Sequence, residues 1–92
     1  SRFPEAIRDL ALVVDQRIAS DDITKQILTQ KYVTSVEIFD VYVGEEVESN
    51  KKSLGFRIHM QSMDDTLTNE LIIEQIDKIM TLVSNKFNAQ LR

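Results

Sequence analysis

The segment Lys52–Gln61 constrains the fold more than any other part of the chain, because apolar and polar side chains alternate along it. The apolar set is Leu54, Phe56, Ile58 and Met60. The other set includes Arg57 and His59. A β-strand projects successive side chains to opposite faces, so the segment predicts a strand with one apolar face and one polar, partly basic face. Such a strand fits a sheet that helices cover on one side only.

Two helices and three more strands are predicted along the rest of the chain. The strands are Ile7–Asp15, Val36–Val43 and Asn88–Arg92. Ser20 is expected to cap a first helix that ends near Tyr32, and Thr68 to cap a second, because their side chains can accept bonds from unpaired N–H groups. The apolar stripe of the second helix follows the helical period and consists of Ile72, Ile73, Ile76, Ile79, Met80, Val83 and Phe87.

This order of elements predicts an α+β fold of the ferredoxin-like βαββαβ type, with a four-stranded antiparallel sheet and both helices on one face. Residues 1–92 are expected to form a single domain, and the missing initiator Met suggests a fragment of a longer protein. In the second strand, Asp40 has the same parity as the apolar Val36 and Ile38. This conflict predicts a β-bulge or a strand end near Phe39 and Asp40.

Composition narrows the classes of function. The formal net charge of −4 counts against an independent nucleic-acid binder, because neutralising phosphates usually requires a basic excess. The chain has no cysteine, which excludes disulfides, thiolate metal sites and iron–sulfur clusters. No apolar run approaches the roughly 18 residues that span a bilayer, and no signal peptide is evident. We therefore expect a cytoplasmic protein without a membrane partner.

Six short motifs occur in an order that is typical of one protein family. They are Phe3-Pro4, Arg8–Val14, Phe39–Tyr42 with Gly44-Glu45, Lys51–Leu54 with Phe56, Thr66–Thr68, and Ala89–Arg92. With these motifs the chain resembles the ferredoxin-fold anticodon-binding domain at the C-terminus of bacterial phenylalanyl-tRNA synthetase beta subunits. The resemblance covers essentially the whole chain.

The resemblance implies a tRNA-binding module that holds the anticodon stem-loop of tRNA(Phe). It also implies that the partners are the synthetase alpha subunit and the remaining beta-subunit domains, in a heterotetramer of two alpha and two beta subunits. In that assembly the alpha subunit attaches phenylalanine to tRNA with ATP and magnesium. The domain itself would contain no catalytic residue, no cofactor and no metal.

Arg57, Lys51 and Lys52 are the strongest candidates for RNA contact. The planar guanidinium of Arg57 can stack on a base or bridge phosphate oxygens, and the lysines can meet phosphates as point charges. The alternative is a solvated hairpin end in which the lysines balance the loop glutamates. Those glutamates are Glu45, Glu46 and Glu48.

Four further residues are candidates with a structural alternative. Phe39 is either a stacking platform for a base or a packed side chain. Arg8 either reaches RNA or fixes the start of the first strand by pairing with an acidic neighbour. Ser53 and His59 share the parity of Arg57, and His59 is otherwise a surface histidine without catalytic or metal-binding partners.

Other functions compatible with the fold are less well supported. An acylphosphatase-like hydrolase needs an anion-cradling loop after the first strand, and Asp15–Ala19 contains no glycine. A regulatory or protein-interaction domain with no RNA role is permitted by the acidic charge, and it stays open as the alternative function.

Overall fold

The computed structural model describes residues 3–45 and 47–92. Its elements are β1 (Ala6–Asp15), α1 (Ser20–Ile27), β2 (Val33–Tyr42), β3 (Lys51–Met60), α2 (Asn69–Phe87) and β4 (Gln90–Leu91). Ser1, Arg2 and Glu46 lie outside the described residues, so the expectation that Glu46 balances the lysines has no structural counterpart here.

The four strands form one antiparallel sheet with the order β2-β3-β1-β4. Strands β1 and β3 are therefore central, and the long pairing between them runs from Ala6 opposite Met60 to Asp15 opposite Lys51. The two helices connect β1 to β2 and β3 to β4. The predicted ferredoxin-like α+β fold is confirmed.

The hydrophobic core lies between one face of the sheet and both helices. Its buried members are Leu10, Leu12, Val14, Ile23, Ile27, Leu54, Phe56, Ile58, Met60, Ile72, Ile79, Val83 and Ala89. The β1 and β3 members are the alternate apolar residues of each strand, as the sequence predicts. Because both helices contribute to this one cluster, they cover the same face and leave the opposite face of the sheet without a helical layer.

The predicted irregularity in β2 is confirmed. The register of β2 against β3 shifts between Ile38 and Asp40, so that Ile38 lies opposite Phe56 while Asp40 lies opposite Gly55. The extra residue, Phe39, changes the parity of the strand beyond it. The Asp40 side chain therefore does not enter the core face of the sheet with Val36 and Ile38. The need to keep this carboxylate out of the core is the conflict that predicted the bulge.

Two predictions about the first helix are wrong. Ala19, not Ser20, is the N-cap residue, and no side-chain bond caps α1. The helix ends at Ile27 and does not continue to Tyr32. Bonds from Thr29 N to Gln26 O and from Gln30 N to Ile27 O tighten the chain into turns after the helix. Tyr32 has a φ of 72°, which lies outside the right-handed helical region.

The second helix follows its prediction except at one apolar position. The Thr68 side chain accepts a bond from Leu71 N at 3.2 Å, as expected of its N-cap. Ile73, which we placed in the apolar stripe, is instead 62% exposed, and Gln75 is buried. The buried stripe runs along Ile72, Gln75, Ile79 and Val83. Ile73 lies about 100° away from Ile72 around the helix, on its outer side.

The last strand is shorter than the predicted Asn88–Arg92. Asn88 ends α2 in the left-handed conformation, with a φ of 54°, and its N–H bonds to Ser84 O. The strand itself contains Gln90 and Leu91, which pair with β1. Within the described parts of the chain, neither helix has the length and apolar character needed to cross a membrane.

Candidate nucleic-acid interface

The face of the sheet opposite the helices, called the open face here, carries the alternate strand positions that do not enter the core. On β1 and β3, three pairs of facing residues cross its centre, namely Asp9 with Arg57, Ala11 with Gly55, and Val13 with Ser53. On the other side of β3, the facing residues from β2 are Glu37 with Arg57, Asp40 with Gly55, and Tyr42 with Ser53. The open face therefore carries charged and aromatic groups in rows across the strands.

Arg57 is held at the centre of this surface by Asp9. Arg57 Nε donates to Asp9 Oδ1 at 2.9 Å and Arg57 Nη2 donates to Asp9 Oδ2 at 3.0 Å, so the guanidinium and the carboxylate meet side by side. This hydrogen bonding lowers the pKa of Asp9 and raises the pKa of Arg57. The side chains are 40% and 47% exposed, so the pair remains accessible from solvent.

Arg57 also stacks on Phe39. The Cζ atom of Arg57 lies 4.7 Å from the centre of the Phe39 ring, within the range of a cation–π contact. The β2 bulge places Phe39 on the open face, where its ring covers Gly55 so closely that a Cβ atom would not fit there. The result is a layered arrangement in which backbone, aromatic ring and guanidinium follow one another outward.

A second arginine–aromatic pair lies beside the first. Arg92 Cζ lies 5.0 Å from the centre of the Tyr42 ring, and Arg92 Nη1 donates to Ser53 Oγ at 3.4 Å. Arg92 N donates to Ala11 O at 3.0 Å, which fixes the residue against β1. The Arg92 side chain thus crosses β1 and β3 to reach β2, and Ser53 beneath it is only 1% exposed.

His59 lies on the open face between two glutamates. Its Nδ1 atom is 3.1 Å from Glu5 Oε1, and its Nε2 atom is 2.6 Å from Glu37 Oε1. Hydrogen bonds to Glu5 and then to Glu37 raise the pKa of the histidine. The strand that carries His59 has no carboxylate pair, as the sequence indicates, and both glutamate partners come from other segments.

The seven candidate residues do not all share one face. Phe39, Ser53, Arg57 and His59 lie on the open face, and Lys51 lies opposite Asp15 at its edge. Lys52 lies opposite Val14, and Arg8 lies opposite Ile58, so both have the parity of the core side. Arg8 Nη1 donates to the carbonyl of Ile7 at 2.8 Å, and not to an acidic neighbour, which was the structural alternative to an RNA contact. Contact of these residues with RNA stays a prediction.

Asp9, Tyr42 and Arg92 belong to this surface but were not among the seven candidates. Asp9 and Arg92 alternate with apolar neighbours along the chain, so parity gave a signal for both. Tyr42 has the sequence parity of Ile38, and only the β2 bulge brings it to the open face. In residues 3–45 and 47–92, no group of three or more His, Cys, Asp or Glu side chains is arranged to hold a metal ion.

Comparison with known proteins agrees with this architecture. The sequence model described as the ferredoxin-fold anticodon binding domain matches residues 1–92. Phenylalanine–tRNA ligase beta subunits of Vibrio parahaemolyticus, Dechloromonas aromatica and Cutibacterium acnes are 44%, 39% and 38% identical over 94 aligned residues. Each alignment covers 100% of this chain but only 12%, 12% and 11% of the respective relative. The chain therefore spans about an eighth of the length of the curated relatives it matches, and it belongs to the ferredoxin-fold anticodon binding domain family.

Proposed function

We propose that this chain binds the anticodon stem-loop of tRNA(Phe) as part of a phenylalanine–tRNA ligase beta subunit. The observation that carries the proposal is the pair of arginine–aromatic stacks on the open face, Arg57 on Phe39 and Arg92 on Tyr42. Single-stranded RNA is typically bound by planar groups on which splayed-out bases stack. The names of the family and of the relatives supply the class of RNA.

The charges of the open face favour contacts to bases over contacts to phosphates. Arg57 and His59 each face carboxylates, and Asp40 adds another exposed carboxylate opposite Gly55. With a net charge of −4, the chain offers little attraction to an RNA backbone as a whole. In our proposal, the domain reads the shape and stacking of the loop, while other parts of the ligase supply further affinity.

The candidate residues take different roles in this proposal. Arg57 and Phe39 form the central stack, and Ser53 supports Arg92 from below. Lys51 contacts a phosphate at the edge of the open face, and His59 borders the loop on the other side. Lys52 and Arg8 contribute only where the RNA backbone passes around a sheet edge, because their parity is that of the core side.

The ligase reaction itself belongs to the parent assembly in this proposal. ATP and magnesium act in the alpha subunit, the domain holds the tRNA without taking part in the chemistry, and the assembly works in the cytoplasm. The domain's partners are then the tRNA, the alpha subunit and the preceding beta-subunit domains.

Binding of an anticodon stem-loop hairpin, followed by NMR chemical-shift changes in the chain, tests the proposal. We expect weak, salt-sensitive binding with changes at Phe39, Tyr42, Arg57 and Arg92, and little change in α1 and α2. Phe39→Ala should weaken binding about fivefold or more, which corresponds to loss of one stacked base. Ile73→Ala is the matched control, since it removes an exposed apolar side chain from the helical side.

Two outcomes would contradict the proposal. Chemical-shift changes confined to the helices would favour the regulatory or protein-interaction function. Equal affinities of the Phe39→Ala and Ile73→Ala variants for the hairpin would remove the open face as the binding surface.

A further inference from the structure

We infer that Asp9 is a positioning residue that makes Arg57 a stacking platform for a nucleobase and keeps it from acting as a phosphate ligand. The inference rests on the proposed function, and it specifies the chemical group that the central stack would receive. The sequence of this strand permits both uses of Arg57, and the contacts of Asp9 distinguish between them.

Asp9 occupies part of the donor set that a phosphate would need. A guanidinium has five N–H groups in a planar fork, and both its side-on and its end-on edge can bond two oxygens of a phosphate. In this protein Asp9 takes the side-on edge, through Arg57 Nε and Nη2 at 2.9 and 3.0 Å. A phosphate would have to displace Asp9 to use that edge, so only the end-on edge is left for a bidentate contact.

The position of the guanidinium favours a planar ligand. Arg57 Cζ lies over the Phe39 ring, and that ring lies against Gly55, so the guanidinium is supported from the backbone outward. The in-plane bonds to Asp9 fix its rotation as well. Since the Arg57 side chain is still 40% exposed, the outer side of the plane is left for a planar ligand. A nucleobase is such a ligand.

The local charge also disfavours a phosphate. Asp9 neutralises Arg57, and Glu37, which lies opposite Arg57 on the other neighbouring strand, bonds to His59. A phosphodiester at this place would meet two carboxylates that already pair with Arg57 and His59. A neutral base has no such penalty, and it gains from an arginine that is already ordered, because the entropy of fixing a long side chain has been lost before binding.

The sign of one substitution tests the inference. If Asp9 merely competed with RNA for Arg57, Asp9→Asn would strengthen binding, because it removes a negative charge from the surface. If Asp9 positions Arg57, the same substitution should weaken binding about fivefold or more, since the ordered stack is lost. The measurement is fluorescence anisotropy of a labelled anticodon stem-loop hairpin with the intact polypeptide that carries this chain.

The control is Asp15→Asn, which removes a negative charge from the same strand and parity but leaves Arg57 and Asp9 in place. It should leave affinity unchanged or slightly raised. A second measurement uses a set of hairpins that each lack one loop base. If Asp9 had only a structural role, Asp9→Asn would lower the affinity for every one of these hairpins. The Asp9→Asn penalty should disappear for one of these hairpins, because the stacked base is then absent from both measurements.

Arg57→Lys keeps the inference testable if Asp9→Asn does not fold. A lysine retains the charge and binds phosphate well, but it offers no plane for stacking, so binding should weaken as in Asp9→Asn. Unchanged affinity in Arg57→Lys, tighter binding in a folded Asp9→Asn variant, or a penalty that persists in every hairpin would overturn the inference alone. Failure of the unmodified protein to bind the intact hairpin would overturn the proposed function and the inference together.

Discussion

The ring of Phe39 stands where a side chain at residue 55 would begin, with its Cζ atom 2.8 Å from the position of a Cβ atom on Gly55. Two more carbons of the ring lie 3.1 Å from that position. Such distances are too short for non-bonded carbon atoms, so the ring can lie flat only because residue 55 has no side chain. The central stack of the open face thus depends on a glycine in the middle of a strand, where glycine is otherwise unfavourable.

Gly55→Ala should therefore weaken RNA binding without unfolding the protein. The new methyl group displaces the Phe39 ring, which is 47% exposed and can turn toward solvent. The free energy of unfolding should change by less than about 1 kcal/mol, since the lower entropy of the unfolded chain offsets part of the lost packing. Hairpin affinity should fall about fivefold, because Arg57 loses its support. Urea unfolding and anisotropy measure the two quantities.

A Phe39→Leu background supplies the control for Gly55→Ala. Without the aromatic ring, the methyl group at residue 55 meets less obstruction, and the stack of Arg57 on Phe39 is already absent. Gly55→Ala should then have little further effect on affinity, so the two substitutions should be non-additive. If their effects on binding simply add, the close packing of Phe39 on Gly55 is not what supports Arg57.

Arg92→Ala should weaken binding of the hairpin by about fivefold through loss of the second stack. The free energy of unfolding should fall by no more than about 1 kcal/mol, which is the size of an exposed cation–π contact. Arg17→Ala is the control, since its side chain is 90% exposed and pairs with Asp15 at the end of β1. If both variants lose the same affinity, the effect comes from net charge and not from the Arg92–Tyr42 stack.

The faces of β1 and β3 could be predicted because a strand assigns each residue to one of two sides. The bulge in β2 could be predicted because Asp40 would otherwise have entered the core with Val36 and Ile38. These are local arguments, and they succeed wherever the apolar pattern is unambiguous. The error at Ile73 has the same origin. This residue was assigned to the buried stripe because it is hydrophobic, although it lies one position beside the residues that pack against the core.

The partners across the open face could not be predicted from the pattern alone. A shift of the β1–β3 pairing by two residues preserves every face and yet changes which side chains are opposite. Asp9 could have faced Gly55 or His59 as readily as Arg57. The glutamates beside His59 required even more, because Glu5 precedes β1 and Glu37 belongs to β2. The sequence pattern could predict which residues share a face. Which of them are in contact depends on the register of the strands, and the pattern does not determine that register.

The two helix starts provide a test that separates a working cap from an apparent one. Thr68→Ala should lower the free energy of unfolding by about 1 kcal/mol, because Leu71 N loses the acceptor that Thr68 supplies. Ser20→Ala should change it by less than about 0.5 kcal/mol, since no side-chain bond caps α1. Urea unfolding of both variants checks this difference. Equal losses would mean that Ser20 contributes a capping bond after all.

His59 should make stability depend on pH in a defined direction. Glu5 and Glu37 raise its pKa above the ordinary value of 6.5, because both carboxylates bond to the ring. A raised pKa in the folded state means that the stabilisation is fully present below about pH 6.5 and is lost as pH rises through the folded-state pKa. The free energy of unfolding should therefore decrease over that interval, and His59→Gln should remove the decrease.

The titration can be followed directly, since His59 is the only histidine of the chain and gives a single set of imidazole NMR signals. We expect a midpoint above 6.5 in the protein, and a lower one in Glu5→Gln and in Glu37→Gln, because each removes one carboxylate from the ring. Glu48→Gln is the control, since this loop glutamate lies outside the ring's contacts and should leave the midpoint unchanged. A midpoint at or below 6.5 in the unmodified protein would mean that the two glutamates do not hold the ring in its charged form in solution.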